Sequence, residues 1–208
     1  MLSKSFSSIK SNIYTYLGYK NINESSDLDL LIDKCLEEIE SINQFKYQYI
    51  ELDNKLDFIN NNIDYINLLK DCSSYYLILT TLGIKIDERI KYYSKFDMTK
   101  GLVFDACASA YLEYLADNYE ETNLKKPHTF RFCPGYGNTK TSDIREIFKF
   151  IDSSKLGVRL LDSNLMVPMK TMCGIIGIGR ESKKKCDNCP VFEKCDFRKR
   201  GVTCYKKN

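Results

Sequence analysis

The sequence predicts an α+β domain in which helices pack on a modest antiparallel sheet, followed by a short Cys-rich tail. Three observations lead there. Apolar residues recur at helical spacing over residues 28–42, where Leu28, Leu30, Leu31, Cys35, Leu36, Ile39 and Ile42 fall mostly on one stripe. Two apolar, β-prone runs, residues 75–82 and 171–178, read as buried strands. The 208 residues suffice for one domain with an appendage or for two very small domains, and no internal repeat or low-complexity linker interrupts the chain. The expected division is a domain over residues 1–180 and a tail over 181–208.

The elements follow in order. Residues 12–19 predict a short helix ending at Gly18, a residue type that closes helices in the left-handed conformation. Residues 23–26 are turn-like, and a second helix opens at Asp27. Residues 45–52 alternate, with Phe45, Tyr47 and Tyr49 on one side, and predict a strand. Residues 54–62 are polar and read as loop. After the strand at 75–82, Gly83 leads into a helix over 85–94 with Ile86, Ile90 and Tyr93 inward. A longer helix covers 99–120, where the small Ala106, Ala108 and Ala110 permit close packing against a neighbour. Pro127 closes that region. Residues 131–142 are rich in turn formers. A helix then opens at Asp143, with Glu146 spaced for a capping box, and runs to 153. Gly157 ends it. Residues 158–161 and 171–178 read as two strands joined by a loop containing Pro168.

Charge and cysteines narrow the function classes. The formal net charge of +3 is too weak to predict nucleic-acid binding by the body of the chain. The basic residues concentrate instead at the end, in Arg180, Lys183–Lys185, Lys194, Arg198–Arg200, Lys206 and Lys207. No stretch reads as a secretory signal or approaches the ~18 apolar residues of a spanning helix, so a cytoplasmic protein without membrane association is expected. Nine cysteines cannot all pair internally, and they read as reduced thiols or metal ligands. Cys186, Cys189, Cys195 and Cys204 fall within nineteen residues, and a Cys-x-x-Cys knuckle followed by two more cysteines is the pattern of a four-thiolate site for zinc or an iron–sulfur cluster. Cys173 lies close enough in sequence to replace one of them. The competing reading is a reduced basic tail. Cys35, Cys72 and Cys107 stand singly on apolar segments and read as core residues. His128, the single histidine, reads as structural.

The run Arg131-Phe132-Cys133-Pro134-Gly135-Tyr136 is, taken alone, a turn with a solvated arginine. Arginine can also hold a carboxylate bidentately, glycine lets a ligand approach the backbone, and tyrosine offers a flat ring. These residues are followed by the helix from 143, by Leu156-Gly157-Val158, by Met166-Val167-Pro168 and by Thr171-Met172-Cys173-Gly174. In that order they resemble the activation domain of cobalamin-dependent methionine synthase, whose signature is Arg-Pro-Ala-Pro-Gly-Tyr. Tyr16-Leu17-Gly18-Tyr19 resembles the opening of small stand-alone versions of that domain. The likeness covers about residues 12–180.

The resemblance implies S-adenosylmethionine as ligand, held by Arg131, Cys133, Gly135 and Tyr136, with Glu113 pairing the ligand's ammonium group. Without the resemblance, Glu113 reads equally well as an exposed helix residue. A second family glutamate is replaced here by Lys125, and a family tyrosine by the run Lys183–Lys185. The resemblance further implies reductive methylation of cobalamin carried by a separate methionine synthase core chain, with a flavodoxin or ferredoxin as electron donor. The chain itself would be an accessory subunit with no catalytic side chain of its own. Two alternatives stand beside this: an activator of another corrinoid methyltransferase, and a zinc-knuckle module binding nucleic acid or protein through the tail.

Overall fold

The computed structural model describes residues 3–19, 26–54, 56–182, 186, 189, 192–199 and 201. It is an α+β domain, as the sequence predicts. Helix α1 (Ser3–Tyr16) turns Ile9, Ile13 and Tyr14 inward. It closes at Gly18, whose φ of 89° lets Tyr19 N–H reach Tyr14 O at 2.9 Å and Gly18 N–H reach Thr15 O at 3.0 Å. That double bond is the left-handed helix stop expected of glycine. Helix α2 (Ser26–Ile42) buries Ile32, Cys35, Leu36 and Ile39, which recur at i, i+3, i+4 and i+7.

Strand β1 (Lys46–Leu52) follows, then two short helices, α3 (Asp57–Asn60) and α4 (Ile63–Leu68). The expected loop over 54–62 is therefore partly helical. Its polar residues mask the reason: Ile59 and Tyr65 are fully buried, and Asn62 caps α4 by accepting the Asp64 N–H at 2.9 Å. Strand β2 (Ser74–Thr81) is buried along almost its whole length, which is why its sequence is a continuous apolar run. Helix α5 (Ile84–Phe96) leads to α6 (Met98–Asn123), capped by Asp97, whose side chain accepts the Lys100 N–H at 3.0 Å. Apolar and small residues surround α6 on nearly every side, so it is the central helix, packed by α1, α2 and α5.

The last third departs most from expectation. Helix α7 (Asp143–Phe148) is short, and a separate 3₁₀ turn occupies Ser153–Leu156. The capping box does not form: Ser142 is itself in helical conformation with no side-chain cap bond, and Glu146 pairs with Lys149. The two predicted strands are present and belong to different sheets. Strand β3 (Arg159–Leu160) pairs with β4 (Met166–Val167) in a small hairpin, whereas β5 (Thr171–Ile178) joins the main sheet. Residues 192–194 form a 3₁₀ turn, and α8 (Asp196–Lys199) closes the described chain.

The main sheet is antiparallel, in the order β1–β2–β5. One face, with Tyr75, Leu77, Leu79, Cys173 and Ile175, packs on Tyr65, Ile144, Ile147 and Val158. The other, with Tyr76, Ile78, Ile176 and Ile178, packs on Leu124 at the end of α6. Residues 128–132 run beside β5 through two isolated bridges, His128–Ile178 and Phe132–Ile175. The Arg131 turn thus leaves the sheet edge next to α6. Cys35 and Cys107 lie in the helical core as expected, and Cys72 is partly buried. No helix among the described residues is long and apolar enough to cross a membrane.

Candidate functional site

One stripe of α6 organises the site. Leu102, Ala106, Ser109, Glu113, Asp117 and Glu120 recur every three or four residues and so share a face. The lower part of this stripe, with Asp105 beside it, floors a cleft of about 530 Å³. Tyr16 and Leu17, at the end of α1, form one wall, and Tyr136, from the Pro-Gly turn, forms another. Two of the sequence-predicted ligand residues, Glu113 and Tyr136, thereby line the same cleft although they come from different elements.

The turn is held from below. Gly135 and Gly137 take φ of 92° and 62°, which glycine accepts without steric cost. Thr139 Oγ1 donates to Tyr136 O at 2.6 Å and accepts Gly135 N–H at 3.0 Å. The buried Asp64 carboxylate accepts Asn138 N–H at 2.7 Å, and Asn62 Nδ2 donates to Asn138 O at 3.0 Å. The segment missed as helix, α4, is therefore what anchors the turn.

Arg131 is buried, with its side chain 3% exposed. Its guanidinium donates to Glu120 and, at 2.8 Å, to Asp117. Burial works against the charged guanidinium, but the carboxylates of Glu120 and Asp117 outweigh it and hold Arg131 above its ordinary pKa. Glu120 is itself buried and also accepts the Tyr47 hydroxyl at 2.8 Å. Burial lifts the Glu120 carboxyl above its usual range, while Arg131 and Tyr47 pull it back. Asp117 is 64% exposed, so the outer bond of the arginine faces water and the inner one does not.

Gly174 explains how the arginine gets there. A Cβ at this position would lie 2.9 Å from Phe132 O, 3.1 Å from Arg131 Cγ and 3.4 Å from Cys133 Sγ. Arg131 and Cys133 cross the strand where no side chain stands. The Thr-x-x-Gly spacing thus has a physical role: Thr171 Oγ1 bonds Thr81 Oγ1 at 2.9 Å across the sheet, and Gly174 leaves room three residues on. Cys133 is partly buried against this strand, while burial pushes the Cys173 thiol well above its ordinary value.

Within the cleft, Glu113 accepts the Tyr16 hydroxyl at 2.8 Å and has no ion pair among the described residues. Asp105 is paired with Lys170 at 2.9 Å, and the same ammonium donates to Ser109 Oγ at 2.8 Å. Sequence reading missed Asp105, Ser109, Asp117, Glu120 and Lys170. The three acids Asp105, Asp117 and Glu120 share a face of α6 with Glu113, and that pattern was a readable signal. Nothing local marks Lys170, which reaches the cleft only through the fold of the β4–β5 loop.

The cleft suits a nucleoside bearing an amino acid. Its volume falls in the ~300–1,000 Å³ range of small-molecule sites. It offers the Glu113 carboxylate, which has no ion pair among the described residues, for a cationic group, and an exposed tyrosine ring for a flat base; Arg131 does not line it and lies beyond it, paired with Asp117 one helical turn after Glu113. Cys186, Cys189 and Cys195 are described, Cys204 lies outside the described residues, and among the described residues no group of three or more His, Cys, Asp or Glu gathers to hold an ion.

No protein-family model matches the chain, and no curated protein matches it. Among solved structures it is similar to the MetH reactivation domain, in a crystal structure with AdoHcy bound. The TM-score is 0.58 at 13% sequence identity, over 94% of this chain and 84% of that one. This likeness shows the fold.

Proposed function

We propose that this chain binds S-adenosylmethionine in the α6 cleft and serves as the reactivation subunit of a cobalamin-dependent methionine synthase whose core is a separate chain. The observation that carries this reading is the meeting of Glu113 and Tyr136 in one cleft, in a chain with the fold of a domain that binds AdoHcy.

S-adenosylmethionine supplies, when bound, a methyl group on a sulfonium that departs as a neutral thioether. The chain's own residues then have a positioning task and need no general base. Glu113 balances the ligand's ammonium group. Tyr136 offers its ring to the adenine. Gly135 and Cys133 keep the turn low enough for the ligand to lie against the backbone. Arg131 turns its outer nitrogen to the ligand's carboxylate as the exposed Asp117 gives way, while the buried Glu120 keeps the guanidinium in place.

Cobalamin belongs to the partner chain in this reading, and a flavodoxin or ferredoxin supplies the electron. The same chemistry serves another corrinoid methyltransferase equally, so the partner is identified by co-purification with the core chain.

Calorimetric titration with S-adenosylmethionine tests the reading. The wild type is expected to bind. Glu113→Gln removes one charge-assisted contact of about 1.5–3 kcal/mol, so affinity should fall roughly 10- to 100-fold. A wild type that does not bind, or a Glu113→Gln variant that binds as well as wild type, refutes the assignment.

The four-thiolate tail site is part of the proposal on its spacing. Its support in the structure is the turn that brings Cys189 N–H to Cys186 O at 3.0 Å. Metal analysis of the anaerobically purified chain should find zinc or iron that is lost in the double variant Cys186→Ser, Cys189→Ser. Metal-free wild type would exclude the site.

A further inference from the structure

Asp105 and Ser109 line the cleft toward the start of α6, and Lys170 is fixed to both of them. Lys170 is held on every side. Its backbone N–H and that of Met169 reach the Asp87 carboxylate at 3.4 and 2.5 Å, and its carbonyl accepts Leu82 N–H at 3.0 Å. Its side chain is 12% exposed, and the ammonium is committed to Asp105 Oδ1 and Ser109 Oγ.

The charges at the two ends of the cleft differ. Among the described residues Glu113 has no cationic partner. Asp105 is neutralised by Lys170, so this end carries no net charge toward a ligand. It does carry an acceptor: Asp105 is 46% exposed, and Lys170 is paired with its Oδ1. A carboxylate only accepts hydrogen bonds, with room for two donors side by side. An uncharged group with two adjacent O–H donors is the chemical match, and acidic side chains take ribose hydroxyls in this way at nucleotide sites.

We propose that Asp105, held in place by Lys170 and Ser109, reads the ribose diol of the ligand and so sets which way the ligand lies in the cleft. Asp105 stands eight residues before Glu113, about 12 Å along α6. That separation gives the sugar and the amino-acid end each its own acid. Asp105 is the ligand-contacting residue, and Lys170 is the positioning residue behind it. This rests on the nucleoside reading of the cleft.

The test compares affinities for S-adenosylhomocysteine and its 2′-deoxy and 3′-deoxy counterparts. Wild type should prefer the parent by about tenfold or more. Asp105→Ala should bind the parent more weakly and lose the preference against the deoxy compound. Lys170→Met should shrink the preference while keeping Asp105. Each ratio is taken within one protein, so a general loss of stability cancels; Asp105→Asn stands in should the alanine variant fail to fold. Wild type binding all three ligands equally, or Asp105→Ala keeping the full preference, overturns the assignment of Asp105. An unchanged preference in Lys170→Met overturns the part given to Lys170. Wild type binding none of the three refutes the nucleoside reading itself.

Discussion

Glu120→Ala is expected to cost about 3–5 kcal/mol of stability, because it leaves the buried Arg131 guanidinium without its inner partner. For a chain of this length that is a fall in Tm of roughly 10 °C or more. The loss has two parts. Arg131 keeps only Asp117, which is exposed and weak in water. Tyr47, which is half-buried, loses the acceptor of its hydroxyl. Glu120→Gln keeps an acceptor for both donors and should cost clearly less. Urea denaturation of the three proteins measures this, and a Glu120→Ala loss below about 1 kcal/mol, the scale of an exposed ion pair, would show that the buried pair does not hold the turn to α6. If Arg131 holds the ligand's carboxylate as proposed, ligand binding should fall together with stability.

Gly174→Ala is expected to lower stability by about 1–3 kcal/mol, the cost of forcing a methyl group into a filled site. The added Cβ would meet the carbonyl of Phe132 at 2.9 Å. That carbonyl accepts Ile175 N–H at 2.8 Å, and Phe132 N–H returns to Ile175 O at 2.9 Å. Backbone must therefore move, and both bonds of the bridge weaken. Arg131 and Cys133 move with it, so titration with S-adenosylmethionine should weaken even though no ligand residue has been changed. Hydrogen exchange at Phe132 and Ile175 should accelerate in the variant. Native stability together with native exchange at these two amides would rule out the close crossing.

Much of the fold was legible in residue patterns. The stripe of α2, the continuous apolar run of β2 and the glycine stop of α1 each follow from local physics, and each appears near its expected place. Where reading failed, the cause was tertiary. Residues 54–62 look polar because Asn and Asp dominate them, yet Ile59 is buried within the segment and Tyr65 just after it. Residues 149–153 keep helical spacing, but α7 stops at Phe148 and the chain turns into a 3₁₀ segment that packs Leu156 beneath the sheet. Strand partners were not legible at all, because pairing is a long-range choice: β5 finds β2, about ninety residues away, and leaves β3 to β4.

The sequence by itself determined the class of the fold, the length of the central helix and the turn at Pro134-Gly135, since periodicity and the conformational range of glycine and proline act locally. Its resemblance to a known signature also singled out Glu113 and Tyr136. Only the tertiary structure decided that these two meet in one cleft, that Arg131 is buried between Glu120 and Asp117, and that Lys170 stands behind Asp105. The physical reason is distance along the chain. A charge is assigned its partner by whatever the packing of α6 against the sheet edge brings beside it, and no local pattern encodes that meeting.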